Sequence, residues 1–493
     1  MANENDKGYR LALFEKLRGE AIGLDVCYTL ATGERTRRIY LDSTASTLRL
    51  NIVQEVLDKF QPYYSNTHSV LHFGARLSTQ EYQWSHQMVL DFVHANPEIY
   101  TAIFVGSGTT TGINRVARTL REKRPERDVV ISSIMEHHSN DLPHRKHFRE
   151  VVHIPAAMAA HSLGCVDLRR LEEALRENAG KVNYVAITGV SNVTGIINPV
   201  HDVAELAHRY GALVVVDGAQ MAAHIPVQVS GHASAARDLD VLIFSGHKTY
   251  APGSPGVVVT RKDLFAGLEP QEVGGGMVDQ VYINRYTISQ QFPEREEAGT
   301  PNICGAIGLA AALYALTRVG MDLIAEEECN LMEYALSRLS TVGDLVIYGE
   351  TDCRQCERTG AISFNLKKLD HALVAAALND YFNIAVRNEC FCAHPYVREM
   401  IMQSLAEEDL SDQELEDMAE LHRGMVRASF GIYTTEKDVD ALVAALQHVS
   451  TNTDFYQQQY IRLDNGDYEH KTFKFDHTKV FSVKEEVDRI LSH

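Results

Sequence analysis

A chain of 493 residues, 45% hydrophobic and 23% charged, has the composition of a folded protein larger than one hydrophobic core usually serves, so two or more domains are expected. Lys and Arg number 47 against 66 Asp and Glu, and the net charge of −19 repels phosphate backbones and anionic membranes, which argues against nucleic-acid and membrane partners. The eight cysteines are too sparse for a disulfide scaffold; in a reducing compartment they are free thiols, metal ligands or catalytic groups.

The opening MANENDKGYRLALFEKLRGE has no basic start, apolar stretch and cleavage site of the signal-peptide kind. Apolar runs such as ALVVVD at 212–217 are strand-length, well short of the roughly 18 residues a membrane helix needs. A soluble, cytoplasmic protein is expected. Residues 1–38 form an N-terminal segment expected to pack with the smaller of two domains. Over 39–312 short β-rich runs alternate with helical ones: TAIFVGSG, GINRVARTLREK, DVVISSIMEHHSN, NYVAITGVSN, HDVAELAHRYG, ALVVVDGAQ and DVLIFSGHK. That alternation predicts βα units building an α/β domain around a parallel sheet, with ligands bound beyond the carboxyl ends of the strands. SGTTTG, MEHHSN, SNVTG, DGAQ and SGHK all stand just after such runs.

Residues 313–450 change rhythm and predict a smaller α+β domain. Within it an acidic insertion spans about 396–425, and QSLAEEDLSDQELEDMAELHRG at 403–424 reads as an exposed helix, with Ser411 before Glu414 as a capping box. Residues 451–493 form a C-terminal extension that reads as one or two aromatic strands followed by a short helix, VKEEVDRILSH.

Lys248 ends the apolar run DVLIF among small residues. A desolvated lysine has a lowered pKa and can form a Schiff base with an aldehyde such as pyridoxal 5′-phosphate (PLP); the plainer reading is a surface loop lysine. Asp217, at the end of ALVVVD, suits the protonated pyridine nitrogen of such a cofactor, or serves as a helix cap. SGTTTGIN at 107–114 opens a helix with small residues and hydroxyls, where backbone N–H groups and the helix dipole favour phosphate. His137 in MEHHSN can stack on a flat ring or move protons, or be structural.

Taken together these segments resemble the class V aminotransferase-like PLP enzymes, and within them the SufS-type cysteine desulfurases and selenocysteine lyases, from about residue 38 to 448. YLDSTAS at 40–46 resembles the family's opening motif, and His68 and His72 keep its H-x-x-x-H. The resemblance implies PLP-dependent fold type I, a large domain with a mainly parallel seven-stranded-type sheet between helices, and a smaller α+β domain. It implies that Lys248 carries the cofactor and Asp217 its pyridine nitrogen. Gln220 then lies near the phenolic oxygen, His137 lies over the ring, and Thr109, Thr110, Ser245 and His247 hold phosphate. In EAGTPN, Thr300 reaches the phosphate of the other subunit of a homodimer, and Asn192 in SNVTG contacts cofactor and substrate. Arg427 in VRASFGIYTTEKDVDAL clamps the substrate carboxylate, with Arg387 and His72 also on the substrate side.

RNECFCAHP at 387–395 resembles the family's loop R-x-G-x-x-C-A-x-P, which makes Cys392 the nucleophile that takes sulfur as a persulfide. The resemblance thus implies conversion of L-cysteine to L-alanine, with sulfur passing to an acceptor protein or small molecule, as in iron–sulfur cluster biogenesis. The chain departs from the pattern at Glu389, where the family has glycine, and at Cys390; the C-F-C form also resembles the desulfurase domain of molybdenum cofactor sulfurases. Cys353 and Cys356 with Cys390 and Cys392 form an alternative four-thiolate metal site, although no metal is the expectation. Two other readings compete with the desulfurase: a different PLP reaction (C–S or selenocysteine lysis, β-elimination or transamination) with Cys392 incidental, and a non-enzymatic binding or scaffold protein.

Overall fold

The computed structural model describes residues 4–67, 69–160, 162–406, 411, 413, 418 and 421–492. Seven strands form one sheet: β1 (Tyr100–Val105), β2 (Val129–Ser133), β3 (Glu150–Ile154), β4 (Val182–Thr188), β5 (Leu213–Asp217), β6 (Val241–Ser245) and β7 (Gly256–Arg261), in the order β1-β7-β6-β5-β4-β2-β3. β7 runs antiparallel to both its neighbours, and every other adjacent pair is parallel. Every residue of β1, β2, β4 and β6 is buried, as a mostly parallel sheet covered on both faces requires. The mainly parallel sheet expected from the βα alternation is therefore present, with β7 as its one reversed strand.

One face of the sheet is covered by the helix Gly108–Lys123, whose Ile113, Val116, Ala117 and Leu120 pack on Ile103, Val105, Tyr184, Ile243 and Val258. These four residues recur at helical spacing, so they share one stripe. The other face is covered largely by the helices Phe73–Phe92 and Ile303–Val319. Asn302 caps the latter, accepting from the Gly305 N–H at 2.9 Å. The chain breaks at Gly320, with φ of 94°, and the next helix, Met321–Leu339, leaves at 79°. Among the described residues no single helix is long and apolar enough to cross a membrane, and this bent pair packs into the two protein cores.

A second, antiparallel sheet holds β8 (Leu345–Ile347), β9 (Ala361–Leu366), β10 (Arg387–Glu389) and β11 (Met425–Ser429) in the order β8-β9-β11-β10. Ile362, Phe364, Val426 and Ala428 from this sheet meet Met332, Val374 and Leu442 from three helices in a separate apolar core. The N-terminal segment divides between the two bodies. Its helix Glu4–Gly19 sends Phe14 and Leu17 into the core of the large sheet, while the hairpin that follows donates from the Ala31 N–H to the Asp380 carbonyl at 2.8 Å.

The helix His394–Ala406 begins upstream of the acidic stretch, and its Tyr396, Val397, Met400, Ile401 and Leu405 are buried. The start of the insertion is therefore packed rather than exposed, because an apolar stripe precedes the acidic residues. The expected Ser411–Glu414 capping box lies outside the described residues at its glutamate. In the extension, Thr453–Gln459 is helical rather than extended, since Tyr456 packs on Tyr381 and His448. A hairpin of Tyr460–Arg462 and Tyr468–His470 follows, and then the helix Val483–Leu491.

Gly112 sets how closely the helix Gly108–Lys123 sits on the sheet. A Cβ there would stand 2.6 Å from Ile243 Cγ2 and 2.9 Å from Val258 Cγ2, both on buried strands with no free space to move into. Gly112→Ala is expected to destabilise the fold by about 1–3 kcal/mol through overpacking, seen as a lower melting temperature by differential scanning calorimetry.

Candidate active site

Two strands that neighbour each other in the large sheet end on opposite charges. Asp217 closes β5 and is 4% exposed; burial raises its pKa, while the Ala219 N–H at 3.0 Å and the Lys248 charge oppose that rise. Lys248 follows β6 on a short 3₁₀ turn, Gly246–Lys248. Burial lowers its pKa from 10.5 to about 8 against the raising effect of Asp217; the charges of Arg427, Cys392 and Asp42 also reach this amine. A lysine with that pKa is neutral in a substantial fraction near neutral pH, which an amine nucleophile needs.

The N-terminus of the helix Gly108–Lys123 stands beside β6. The Thr109 N–H donates to Ser245 Oγ at 2.8 Å, and the Thr109 and Ser245 hydroxyls are 2.7 Å apart. Thr110 Oγ1 is 2.7 Å from Ser139 Oγ. Gly108 has φ of 60°, and a Cβ there would lie 2.6 Å from Ser245 Oγ, closing the space above the helix start. Four sequence-predicted residues, Thr109, Thr110, Ser245 and His247, are thereby grouped around a helix N-terminus suited to an anion. His247 is held neutral, its pKa lowered to about 4 by burial and then by Lys248.

His137 accepts from the Ser139 N–H through Nδ1 at 3.1 Å, so its neutral ring carries the proton on Nε2. Its pKa is lowered to about 4 by burial and by the charges of Lys248, His138 and Arg427. Glu136 beneath it, which sequence reasoning did not single out within MEHHSN, is 2% exposed. Burial raises its pKa to about 8 although Ser133 Oγ and Asn140 Nδ2 both donate to it at 2.6 Å. Gln220 donates to the Thr44 carbonyl at 2.9 Å, which ties the YLDSTAS segment to the same cleft.

The small sheet contributes Arg427 from β11, 3% exposed, whose NH1 donates to the Asn192 carbonyl at 2.8 Å. Arg387 on β10 is its direct partner across the strands, a like-charge pair that is repulsive unless shared with an anion. Asp42 is that anion: its Oδ2 accepts from Arg387 NH2 at 2.8 Å and its Oδ1 from Arg427 NH2 at 3.4 Å. Asp42 in YLDSTAS is not singled out by the sequence; its role rests on partners far along the chain. The buried Nε of Arg427 has no hydrogen-bond partner, and its pKa is lowered to about 10 by burial.

Cys392 is exposed on the loop after β10. The loop is pinned from below: Asn192 Nδ2 donates to the Phe391 carbonyl and the His138 N–H to the Cys392 carbonyl, both at 2.7 Å. The Arg427 guanidinium lies 4.7 Å from the centre of the Phe391 ring. Glu389, Phe391 and Cys392 all have positive φ, at 96°, 49° and 57°. Cys390 faces away from the cleft into apolar surroundings, with Sγ 3.4 Å from the Arg423 carbonyl.

Other expected members stand apart. His72 is exposed and caps the helix Phe73–Phe92 by accepting from the Ala75 N–H at 3.2 Å. Thr300 is exposed beside Asn66, at 3.4 Å, and His68 lies outside the described residues. Cys356 packs against Gly164 and interacts with Cys165 rather than with Cys390 or Cys392. Among the described residues no three His, Cys, Asp or Glu side chains are grouped to hold a metal ion.

The aminotransferase class-V family model matches residues 39–442. A probable cysteine desulfurase of Halalkalibacterium halodurans is 35% identical over 411 residues, covering 83% of this chain and 92% of that protein. A cysteine desulfurase of Escherichia coli is 35% identical over 412 residues, covering 83% and 93%. The apo cysteine desulfurase of Thermococcus onnurineus superposes with a TM-score of 0.72 at 29% identity, over 89% of this chain and 98% of that one. The E. coli cysteine desulfurase CsdA in its S-sulfonic acid form gives a TM-score of 0.66 at 28% identity, over 85% and 95%. The chain belongs to the aminotransferase class-V family of PLP-dependent enzymes, within its cysteine desulfurases.

A cradle closed to any side chain at Gly108, hydroxyl and N–H donors at a helix start, and a paired lysine and aspartate at strand ends fit PLP. The loop strain generates a prediction. A side chain at φ of 96° costs about 1–2 kcal/mol that glycine avoids. Glu389→Gly is therefore expected to raise the melting temperature by a degree or two, measured by differential scanning fluorimetry on the cofactor-loaded protein.

Proposed function

We propose that the protein is a cysteine desulfurase that binds PLP, converts L-cysteine to L-alanine and takes the sulfur as a persulfide on Cys392 for delivery to an acceptor. The observation that carries this reading is convergence: Lys248 and Asp217 at neighbouring strand ends, the buried Arg427 guanidinium with donors left unpartnered, and Cys392 on a loop pinned beside it by Asn192 and His138. Bound PLP withdraws electrons from an amino acid attached to it and leaves the substrate sulfur electrophilic.

Lys248 would be the attachment point, and Asp217 would hold the pyridine nitrogen protonated. Thr109, Thr110, Ser245 and His247 would take the phosphate, and Gln220 would serve the phenolic oxygen. His137, neutral with its proton on Nε2, would stack on the ring and move a proton at that atom. Arg427 binds the substrate carboxylate through its unpaired Nε and through the NH2 that Asp42 engages only weakly at 3.4 Å, with Arg387 and Asn192 beside it. The Cys392 thiolate attacks the substrate sulfur; an S–S bond forms, the C–S bond breaks, and alanine leaves once its carbon is protonated. Thr300 and His72, apart from the cluster within one chain, suit a homodimer in which each copy completes the other's site. The acceptor is a protein or small-molecule thiol, and the setting is the cytoplasm. The separate cores of the two sheets support a PLP-binding domain over 39–312 and a smaller domain over 313–450, with residues 1–38 and 451–493 as additions at either end.

Lys248→Ala is expected to abolish the absorbance of bound PLP above 400 nm, roughly where internal PLP imines absorb. Because the neutral fraction of the amine grows as pH rises through its pKa of about 8, PLP uptake by cofactor-free protein is expected to accelerate over that range and level off above it; uptake that slows over this range contradicts the assignment. Cys392→Ala is expected to lower alanine formation from L-cysteine by at least about a hundredfold while leaving PLP absorbance intact. Mass spectrometry of cysteine-treated wild type is expected to find one added sulfur on the peptide holding Cys392.

A further inference from the structure

The cysteine loop has two faces, and the one turned from the cofactor cleft lines a cavity of about 480 Å³. The cavity is assembled from the places where this chain departs from its relatives' pattern. Glu389 and Cys390 come from the loop, His422 and Arg423 from the end of the acidic insertion, and Asn465–Asp467 from the hairpin of the C-terminal extension. Gly466 has φ of 90°, and a Cβ there would collide with the Arg423 guanidinium, so the hairpin turn and the arginine are fitted to each other.

The chemistry inside is unfinished. His371 lines the cavity at 4% exposure, and neither ring nitrogen makes a hydrogen bond; Asp370 Oδ1 is 4.0 Å from Nε2. Burial lowers its pKa, with Asp370 raising it and Arg423, His422 and Arg462 lowering it further, so the ring is neutral and offers one unmet donor and one unmet acceptor. A buried polar ring without partners is destabilising, and a ligand that hydrogen-bonds to it relieves that cost. Arg398, on the helix His394–Ala406, and Arg423 make no ion pair or side-chain hydrogen bond among the described residues, although both charges reach Cys390. Glu389 is equally unpaired and reaches the same thiol. Ile401 and Met402 stand three and four residues after Arg398 and add an apolar wall on the same helix face.

Two cations, the carboxylates of Glu389 and Asp467 in the same lining, and a neutral histidine with both ring nitrogens unpartnered complement a molecule that itself carries both charges. We propose that this cavity is a second ligand site that binds a small zwitterion of the amino-acid or short-peptide class, with its carboxylates on Arg398 and Arg423 and its ammonium on Glu389 and Asp467. His371 completes the hydrogen bonding from the floor. The site borders the loop that carries Cys392 without sharing a side chain with the cofactor cleft, so occupancy bears on the loop from behind.

The test uses L-glutamate as probe and the PLP-loaded full chain, with binding followed by saturation-transfer NMR and isothermal titration calorimetry. Glutamate is expected to bind Arg427→Gln, in which the substrate clamp is gone, as tightly as wild type. It is expected to bind Arg423→Gln and Arg398→Gln at least tenfold more weakly, and glutarate, which lacks the ammonium, is expected to bind wild type at least tenfold more weakly than glutamate. Both arginines are exposed, and unchanged PLP absorbance and melting temperature certify that each variant is folded. Failure of glutamate to bind Arg427→Gln, or equal binding by both Arg423→Gln and Arg398→Gln, overturns the site; equal binding of glutarate overturns the zwitterionic assignment. None of these readouts involves turnover, so their failure leaves the desulfurase reading standing.

Discussion

Arg427 is a full positive charge that is 3% exposed, and the cleft is arranged around that fact. An unpaired buried charge costs several kcal/mol, so its contacts are drawn from every part of the fold. Asp42 comes from the segment that leads into the large domain, the Asn192 carbonyl from the turn after β4, and the Phe391 ring from the cysteine loop. The Asn192 contact also joins the small sheet to the large one. Nε is buried without a protein partner, and NH1 and NH2 each make one printed bond of the two their N–H groups allow, so the guanidinium keeps donor capacity beyond these contacts. Arg387, facing Arg427 across the strands, adds a second positive charge that Asp42 alone cannot neutralise.

The same low dielectric sets the protonation of the cleft. Lys248 is lowered to about 8, while His137 and His247 are both lowered to about 4, so near neutral pH the histidines are uncharged. Neutral imidazoles add no positive charge beside Lys248, and His137 keeps an acceptor on one ring nitrogen and an N–H on the other. Glu136, held near 8 by burial beneath this layer, adds little negative charge at neutral pH, which limits its pull on Lys248. Desolvation, the first cause in each case, comes from the packed strand ends rather than from any one neighbour.

The parallel sheet was legible because βα alternation is a local pattern, and the strand-end positions of Asp217, Ser245 and Lys248 followed from it. The helix start was legible for the same reason: Gly108, Thr109 and Thr110 are consecutive and open a helix. Asp42 and Glu136 were quoted within motifs but not given roles, since their importance lies in partners hundreds of residues away or buried beneath another side chain. The helical Thr453–Gln459 was misread as strand because its aromatic residues suit either state, and tertiary packing of Tyr456 decided between them. The insertion was read from its acidic half, which hid the apolar stripe of the helix His394–Ala406 that buries its beginning.

The two cysteines of RNECFCAHP are separated by backbone geometry rather than by distance along the chain. With Phe391 and Cys392 both at positive φ, successive side chains turn to opposite sides, so Cys392 stands exposed while Cys390 is packed at 8% exposure. Burial raises the Cys390 thiol's pKa, and Glu389 raises it further against Arg398 and Arg423, so this sulfur is poorly suited to act as a thiolate at rest. A relay through Cys390 would require the loop to turn over, breaking the pins from Asn192 and His138 that hold Cys392 toward the cleft. Glu389 at φ of 96° stores strain at the hinge such a turn would use, and a relaxed glycine there stores none. The replacement of glycine by glutamate at that hinge therefore does two things at once: it strains the loop on the catalytic side and supplies a carboxylate to the cavity on the other.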